Sequence, residues 1–149
     1  ILLAKLAVAL ATTVVFAVLP VMAGAAIAGD VELRLTTAYG VAALLAGVAY
    51  TALFLALSVL TRNAVVVGLL YALLWESVLG GYVPGVRDVS IRQWALAPAE
   101  RMLGYRASGW GVDSAVSMPV GLTLLAVVTV GVTWLAIRRL TTLRLAAAD

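Results

Sequence analysis

One carboxylate, Glu76, lies inside an apolar stretch of membrane length, AVVVGLLYALLWESVLGGYVPG, at residues 64–85. Insertion scales put the cost of an Asp, Lys or Arg there at about 2.5–3.5 kcal/mol, and such residues usually mark an ion pair, a polar cavity or a transport path. Glu76 is therefore either a transport or gating residue, or a structural anion that ties down the chain beyond it. The nearby Arg87 and Arg92 offer ion-pair partners, which favours the structural interpretation.

Several neighbours of Glu76 are of types that occur at gates. Tyr71 and Trp75 are spaced i, i+4 and share a helical face, which is more typical of packing than of a substrate site. Glycine permits unusual backbone angles and proline ends helices, so Gly-Gly and Pro-Gly pairs predict helix termination, or alternatively a hinge at an outer gate. The candidate gate residues are Glu76, Trp75, Tyr71, Gly80, Gly81, Pro84 and Gly85.

The usual residues of catalysis and metal binding are missing. The chain contains no His and no Cys, which removes the commonest general base, the commonest metal ligand and the usual nucleophile–base triads. No phosphate-binding loop, GxSxG or HExxH pattern occurs. We therefore expect no catalytic residue, no metal site and no cofactor bound by this chain, and no nucleic-acid partner.

The composition indicates an integral membrane protein. Of 149 residues, 64% are hydrophobic and 11% charged, against about 45–50% and about 25% in soluble domains. A helix needs about 20 apolar residues to cross the bilayer. We predict a single all-α domain, 1–149, with a kink near Pro20 and four transmembrane helices at about 1–28, 39–60, 64–83 and 118–137.

The positions of the basic residues predict the orientation. A tight turn at Thr61-Arg62-Asn63 makes the second and third helices antiparallel neighbours. Basic residues near short loops and helix ends favour the cytoplasmic side, whereas long loops count for less. We therefore place both ends of the chain and this turn in the cytoplasm, together with Lys5, Arg62, Arg138, Arg139 and Arg144.

The region 84–117 between the last two helices is predicted to form short amphipathic or re-entrant helices on the outer surface. Ile91, Trp94 and Ala95 share one helical face with Arg92 directed away from it. Pro98 is predicted to open a second short helix, because proline is favoured at the first helical position.

Three segments resemble the membrane subunit of type-2 ABC exporters in the form common in actinobacteria. ILLAK (1–5) is similar to the start of the third of six helices, LSVLTRNAVVVGLLYALLWE (57–76) to the turn and fifth helix, and GYVPGVRDVSIRQWALA (81–97) to the outer segment that follows. The block around Leu73–Glu76 with the VPG and SIRQ runs is the most specific part of the resemblance.

The resemblance implies a permease in the plasma membrane, with its C-terminus cytoplasmic, that forms an export path and has no enzymatic activity of its own. Its partners would be membrane lipid, a second permease copy and separate ABC ATPase subunits that bind ATP and Mg²⁺. Because the chain begins at Ile1, two helices and a coupling helix would precede it, leaving Thr61, Arg62, Asn63, Arg138 and Arg139 as candidate ATPase contacts. The alternative function is a non-transporting scaffold subunit of a larger membrane complex.

Overall fold

The chain is all-helical in class, with no strand among the described residues. The computed structural model describes residues 2–28, 32–79, 82–83 and 85–146, with side chains except at 2–3, 76–77 and 141–146. The main helices are α1 (Leu2–Thr13, Val14–Val18 and Leu19–Ala28 in continuation), α2 (Leu33–Leu60), α3 (Ala64–Leu70 continued by Tyr71–Leu79), α4 (Ile91–Leu103) and α5 (Met118–Ala146). Single 3₁₀ turns occur at Arg87–Val89, Gly104–Arg106 and Ser108–Trp110.

Three helices among the described residues, and not the four predicted, are long and apolar enough to cross a membrane. They are Ala4–Ala28, Leu33–Leu60 and Met118–Leu140, with mean hydropathies of 2.2 to 2.4. The predicted span 64–83 is not among them: α3 is described from Ala64 to Leu79, and the part of it that counts as an apolar helix among the described residues is Ala64–Trp75, or about 18 Å at ~1.5 Å per residue. The predicted span had included Glu76 and the glycines that follow it. Three candidate spans indicate a multi-pass membrane protein.

The expected disturbance near Pro20 takes the form of a π-helical segment. Proline has no N–H and its ring clashes with the carbonyl four residues earlier. Val14–Val18, just before Pro20, adopts π geometry, and the Leu19 N–H donates to the Val14 carbonyl. This hydrogen bond spans five residues instead of the four of an α-helix, which accommodates the proline, and the helix continues to Ala28.

The second helix begins earlier than the predicted residue 39, because residues 33–38 form the first turns of α2. Leu35 and Ala38 are completely or almost completely buried, in one cluster with Ala99 and Leu103 of α4. Packing against α4 thus stabilises these turns, and the hydropathy of α2 alone does not reveal that contact.

α1 and α3 both run antiparallel to α2. Thr13 of α1 shares a 3.2 Å hydrogen bond with Thr51, whereas Met22, further along α1, lies against Gly40 near the start of α2. The turn at 61–63 is confirmed, and Gly68 of α3 lies directly against the ring of Phe54. A side chain larger than hydrogen at position 68 would overlap that ring.

α4 packs between α2 and α5. Its first half, Ile91 to Ala95, clusters with Ala49 of α2 and Leu125 of α5, whereas its second half clusters with the start of α2. α4 therefore runs antiparallel to α2, and α5 returns parallel to α2. Lys5, the 61–63 turn and the Arg138-Arg139 pair consequently lie at one end of the bundle, the arrangement that the basic residues predict.

Candidate functional site: the buried helix α4

α4 is one unbroken helix through Pro98, so the prediction that Pro98 opens a second helix is wrong. Proline cannot donate to the carbonyl four residues earlier, which here belongs to Trp94. That carbonyl faces α5: a Cβ built on Gly121 would lie 2.8 Å from the Trp94 oxygen and 3.0 Å from Ala97 Cβ. The close approach of a glycine on α5 thus covers the part of α4 that proline leaves without its helical hydrogen bond.

α4 enters the bundle to about half its depth. Ala49, which clusters with Ile91 and Trp94, lies about 24 Å along α2 from Leu33 and about 17 Å from Leu60 at ~1.5 Å per residue. Leu125, in the same cluster, is about 6 Å from the midpoint of the span Met118–Leu140 by the same rise. α4 therefore packs along the inner half of α2 and against α5 rather than lying wholly at the end of the bundle.

The first half of α4 is buried on nearly every side. Ile91, Trp94 and Ala95 are 2%, 5% and 2% exposed, which confirms the predicted apolar face. Within residues 90–99 only Arg92 is exposed, and Leu96 is partly exposed. α4 therefore presents the side chain of Arg92 near the middle of the bundle, where a charge is costly if the bundle spans a membrane.

Polar side chains fasten the segment 112–117 along this buried helix. Gln93 is 8% exposed, and its Oε1 accepts from the Ala115 N–H at 3.1 Å. The Ser114 hydroxyl donates to the Gln93 carbonyl at 2.9 Å, and the Ser114 N–H donates to Glu100 Oε2 at 3.2 Å. Buried polar groups need such partners, and here they fix the connection between α4 and α5.

A second group of contacts closes the end of the bundle where α2 begins. Arg106 donates to the Glu32 carboxylate at 2.9 Å, and the Tyr39 hydroxyl donates to the Trp110 carbonyl at 2.9 Å. The hydrogen bond with the neighbouring Tyr105, aided by Glu32, raises the pKa of the exposed Arg106 guanidinium above its usual value. These contacts hold the 3₁₀ turns after α4 against the start of α2.

The predicted gate residues are only partly brought together. Tyr71 packs against the cluster around Trp94, as its spacing predicts, and Trp75 Nε1 donates to the Val89 carbonyl at 3.4 Å. Gly85 is exposed with φ +90°, which requires glycine. Gly80, Gly81 and Pro84 lie outside the described residues, as does the side chain of Glu76.

The two predicted ion-pair partners of Glu76 have different positions. Arg87 pairs at 3.5 Å with Asp113, in a largely exposed bridge. Arg92 lines a pocket of about 220 Å³ with Val21 of α1 and Tyr39 of α2, and it interacts with another residue of the chain. Arg92 thus lies at mid-depth rather than in an outer loop.

The predicted ATPase contacts all lie at the end of the bundle opposite Glu32. Arg62 and Asn63 are exposed in the turn. The guanidinium of Arg138 lies 4.0 Å from the centroid of the Trp134 ring, a cation–π contact that suits a membrane interface, and Arg139 is exposed beside it. The Thr61 hydroxyl is buried with no hydrogen-bond partner among the described residues.

A groove runs along the outside of α1 and α2. It encloses about 660 Å³ between small and aromatic side chains, among them Thr13, Gly47 and Tyr50. The smaller Arg92 pocket shares Ala43 and Ala46 with it. Small residues of α2 therefore line both pockets.

Gln93, Ser114 and Gly121 hold α4 in place, and none of them was among the residues predicted from the sequence. In the sequence, only Gln93 indicates such a contact, because it is a polar residue among the apolar residues of its helical face. Nothing local distinguishes Gly121 from Gly131, ten residues further along α5, which has open space around it.

Comparisons with models of protein families, with curated proteins and with solved structures give no match to the chain.

Proposed function

We propose that this chain is the transmembrane subunit of an ATP-driven ABC exporter, a permease in the plasma membrane that has no enzymatic activity itself. ATP and Mg²⁺ would bind to separate ATPase subunits, and a second permease copy would complete the export path. The observation that carries the proposal is α4, a helix between the last two membrane-associated helices that enters the bundle to about half its depth. The resemblance to type-2 exporters implies short re-entrant extracellular helices at this place in the chain.

Two further features support the proposal. The start of α1 and the end of α5 lie on one side of the bundle with the 61–63 turn, and this side carries Lys5, Arg62 and the Arg138-Arg139 pair. We place this side in the cytoplasm, as the positive-inside rule indicates. The exposed Arg62, Asn63 and Arg139, with Arg138 and Thr61 beside them, then form the surface available to ATPase subunits.

The test is co-purification of the natural protein that contains this chain. A tagged copy is isolated from its own cells in mild detergent, and the bound proteins are identified. The proposal predicts an ATPase subunit with a GxxxxGK[ST] motif and vanadate-sensitive ATP hydrolysis in the complex. Arg62→Glu should weaken this association, whereas Arg101→Glu, an exposed residue at the opposite end of the bundle, should leave it unchanged.

A scaffold subunit without transport activity is the alternative. It would co-purify with other membrane proteins and show no coupled ATPase. Recovery of the wild-type protein without any ATPase subunit contradicts the exporter proposal.

A further inference from the structure

A cleft opens between α4 and α5 at the end of the bundle where α2 begins. The two helices are in close contact at Gly121, where an added Cβ would lie 3.0 Å from Ala97 Cβ. From Ala97 this α4–α5 cleft extends along α4 to Gly104, and residues 116–119 border its other side. Its volume of about 480 Å³ lies within the range of about 300–1,000 Å³ that is typical of small-molecule sites.

Two opposite charges line the α4–α5 cleft without pairing with each other. Glu100 is partly buried and Arg101 is exposed, and consecutive residues of a helix point about 100° apart. In the part of the chain that the structure describes, no ion pair joins these two side chains, and none joins Arg101 to another residue. A carboxylate and a guanidinium therefore border one space with a gap between them.

Both charged groups keep hydrogen-bonding capacity toward the cleft. Glu100 Oε2 accepts from the Ser114 N–H at 3.2 Å, whereas Oε1 accepts no hydrogen bond from any described residue. The Arg101 guanidinium carries five N–H donors and binds a carboxylate through two parallel hydrogen bonds. One side of the cleft thus offers an acceptor to a cation, and the other offers donors to an anion.

The wall formed by the start of α5 is mainly apolar. Val116, Met118 and Pro119 line it, together with the hydroxyl of Ser117, and Ala97 faces the cleft from α4. This wall can cover a short hydrocarbon group but offers no partner to a further charge. The cleft therefore matches a molecule that carries one ammonium, one carboxylate and a small apolar group.

We propose that the α4–α5 cleft binds a free aliphatic α-amino acid. Its carboxylate pairs with Arg101, its ammonium donates to Glu100 Oε1, and its side chain packs against the apolar wall. A ligand with a single charge leaves either Glu100 or Arg101 without a partner, so the cleft selects the zwitterion. The inference goes beyond the proposed function, because binding needs neither ATP nor an ATPase subunit.

The experiment measures binding to the purified natural protein, without its ATPase, by isothermal titration calorimetry. The probes are L-leucine, 3-methylbutylamine, which lacks the carboxylate, and 4-methylpentanoate, which lacks the ammonium; all three carry the same hydrocarbon group. We expect leucine to bind about fivefold more tightly than either analogue, the effect of one ion pair at a partly exposed site. Glycine should also bind more weakly than leucine, because it has no side chain to cover the apolar wall.

Two variants assign the two charges. Arg101→Gln should lower the affinity for leucine about fivefold and leave that for 3-methylbutylamine unchanged. Glu100→Gln, which keeps an amide oxygen for the Ser114 N–H, should lower the affinity for leucine and leave that for 4-methylpentanoate unchanged. The control is Arg34→Gln, since Arg34 is an exposed arginine at the same end of the bundle outside the cleft, and it should bind leucine as the wild type does.

The proposal is overturned if leucine, valine and methionine all fail to bind, or if leucine and its two analogues bind equally well. An unchanged leucine affinity in Arg101→Gln also overturns it. Tighter binding of dihexanoyl phosphatidylethanolamine than of leucine overturns it in favour of a zwitterionic lipid headgroup. If Glu100→Gln does not accumulate, the wild-type comparison and Arg101→Gln decide. Because no ATPase is present, a negative result leaves the exporter proposal standing.

Discussion

Gly121→Ala is the substitution that most sharply tests the packing of α4 against α5. A Cβ at this position would lie 2.8 Å from the Trp94 carbonyl oxygen and 3.3 Å from Trp94 Cα. Both atoms are backbone and cannot rotate away, so the two helices must separate by a few tenths of an ångström. Forced separation of well-packed elements costs about 1–3 kcal/mol.

Gly131→Ala provides the matched control, because Gly131 lies on the same helix with nothing within 4 Å of the added methyl group. Alanine is favoured over glycine in helices by about 1 kcal/mol, so this variant should be neutral or slightly more stable. The assay is thermal unfolding in detergent, followed by tryptophan fluorescence, with both variants measured beside the wild type. Equal stability of Gly121→Ala and Gly131→Ala would refute the contact between α4 and α5.

Three further predictions follow from individual contacts. Gly68→Ala should destabilise the protein by about 1–3 kcal/mol, because the added methyl overlaps the ring of Phe54; adding Phe54→Leu should recover part of the loss in the same unfolding assay, and lack of recovery would contradict this contact. Trp94→Phe removes the 2.7 Å hydrogen bond from the indole to the Asp88 carbonyl and should lower the free energy of unfolding by about 1 kcal/mol. The control is Trp134→Phe, whose exposed indole lies on α5. Equal losses of stability in the two variants would argue against the buried hydrogen bond. Glu32→Gln should change stability by less than about 1 kcal/mol, since the pair with Arg106 is partly exposed, and a loss several times larger would show that this pair anchors the turns after α4.

The sequence predicts those features that depend on local composition. Apolar length identifies the three spans, the position of Pro20 identifies the disturbance in α1, and the spacing of Ile91, Trp94 and Ala95 identifies the buried face of α4. Each of these rests on neighbours within a few turns of the chain. Local composition and the helical periodicity of 3.6 residues are therefore sufficient to predict these three features.

Predictions were wrong or absent for features that depend on contacts between distant segments of the chain. Hydropathy extends the third span through residues 76–83, yet α3 is not among the three described helices that are long and apolar enough to cross a membrane. The first turns of α2 require Ala99 and Leu103, more than sixty residues away. Pro98 is tolerated within α4 where Gly121 lets α5 approach its Trp94 carbonyl, and no local pattern contains that pairing.

The depth of α4 is the observation that carries the proposed function, and one distance tests it. Because the chain has no cysteine, single cysteines that carry spin labels can be introduced at exposed Leu60 and at exposed Val89, just before α4. With a rise of ~1.5 Å per residue and helices about 10 Å apart, a re-entrant α4 puts these labels about 20 Å apart. The reference pair Leu33 and Leu60, at the two ends of α2, should be about 40 Å apart by the same rise. A Val89–Leu60 distance near 20 Å is the predicted result, and one equal to the reference distance would place α4 on the outer surface and contradict the account.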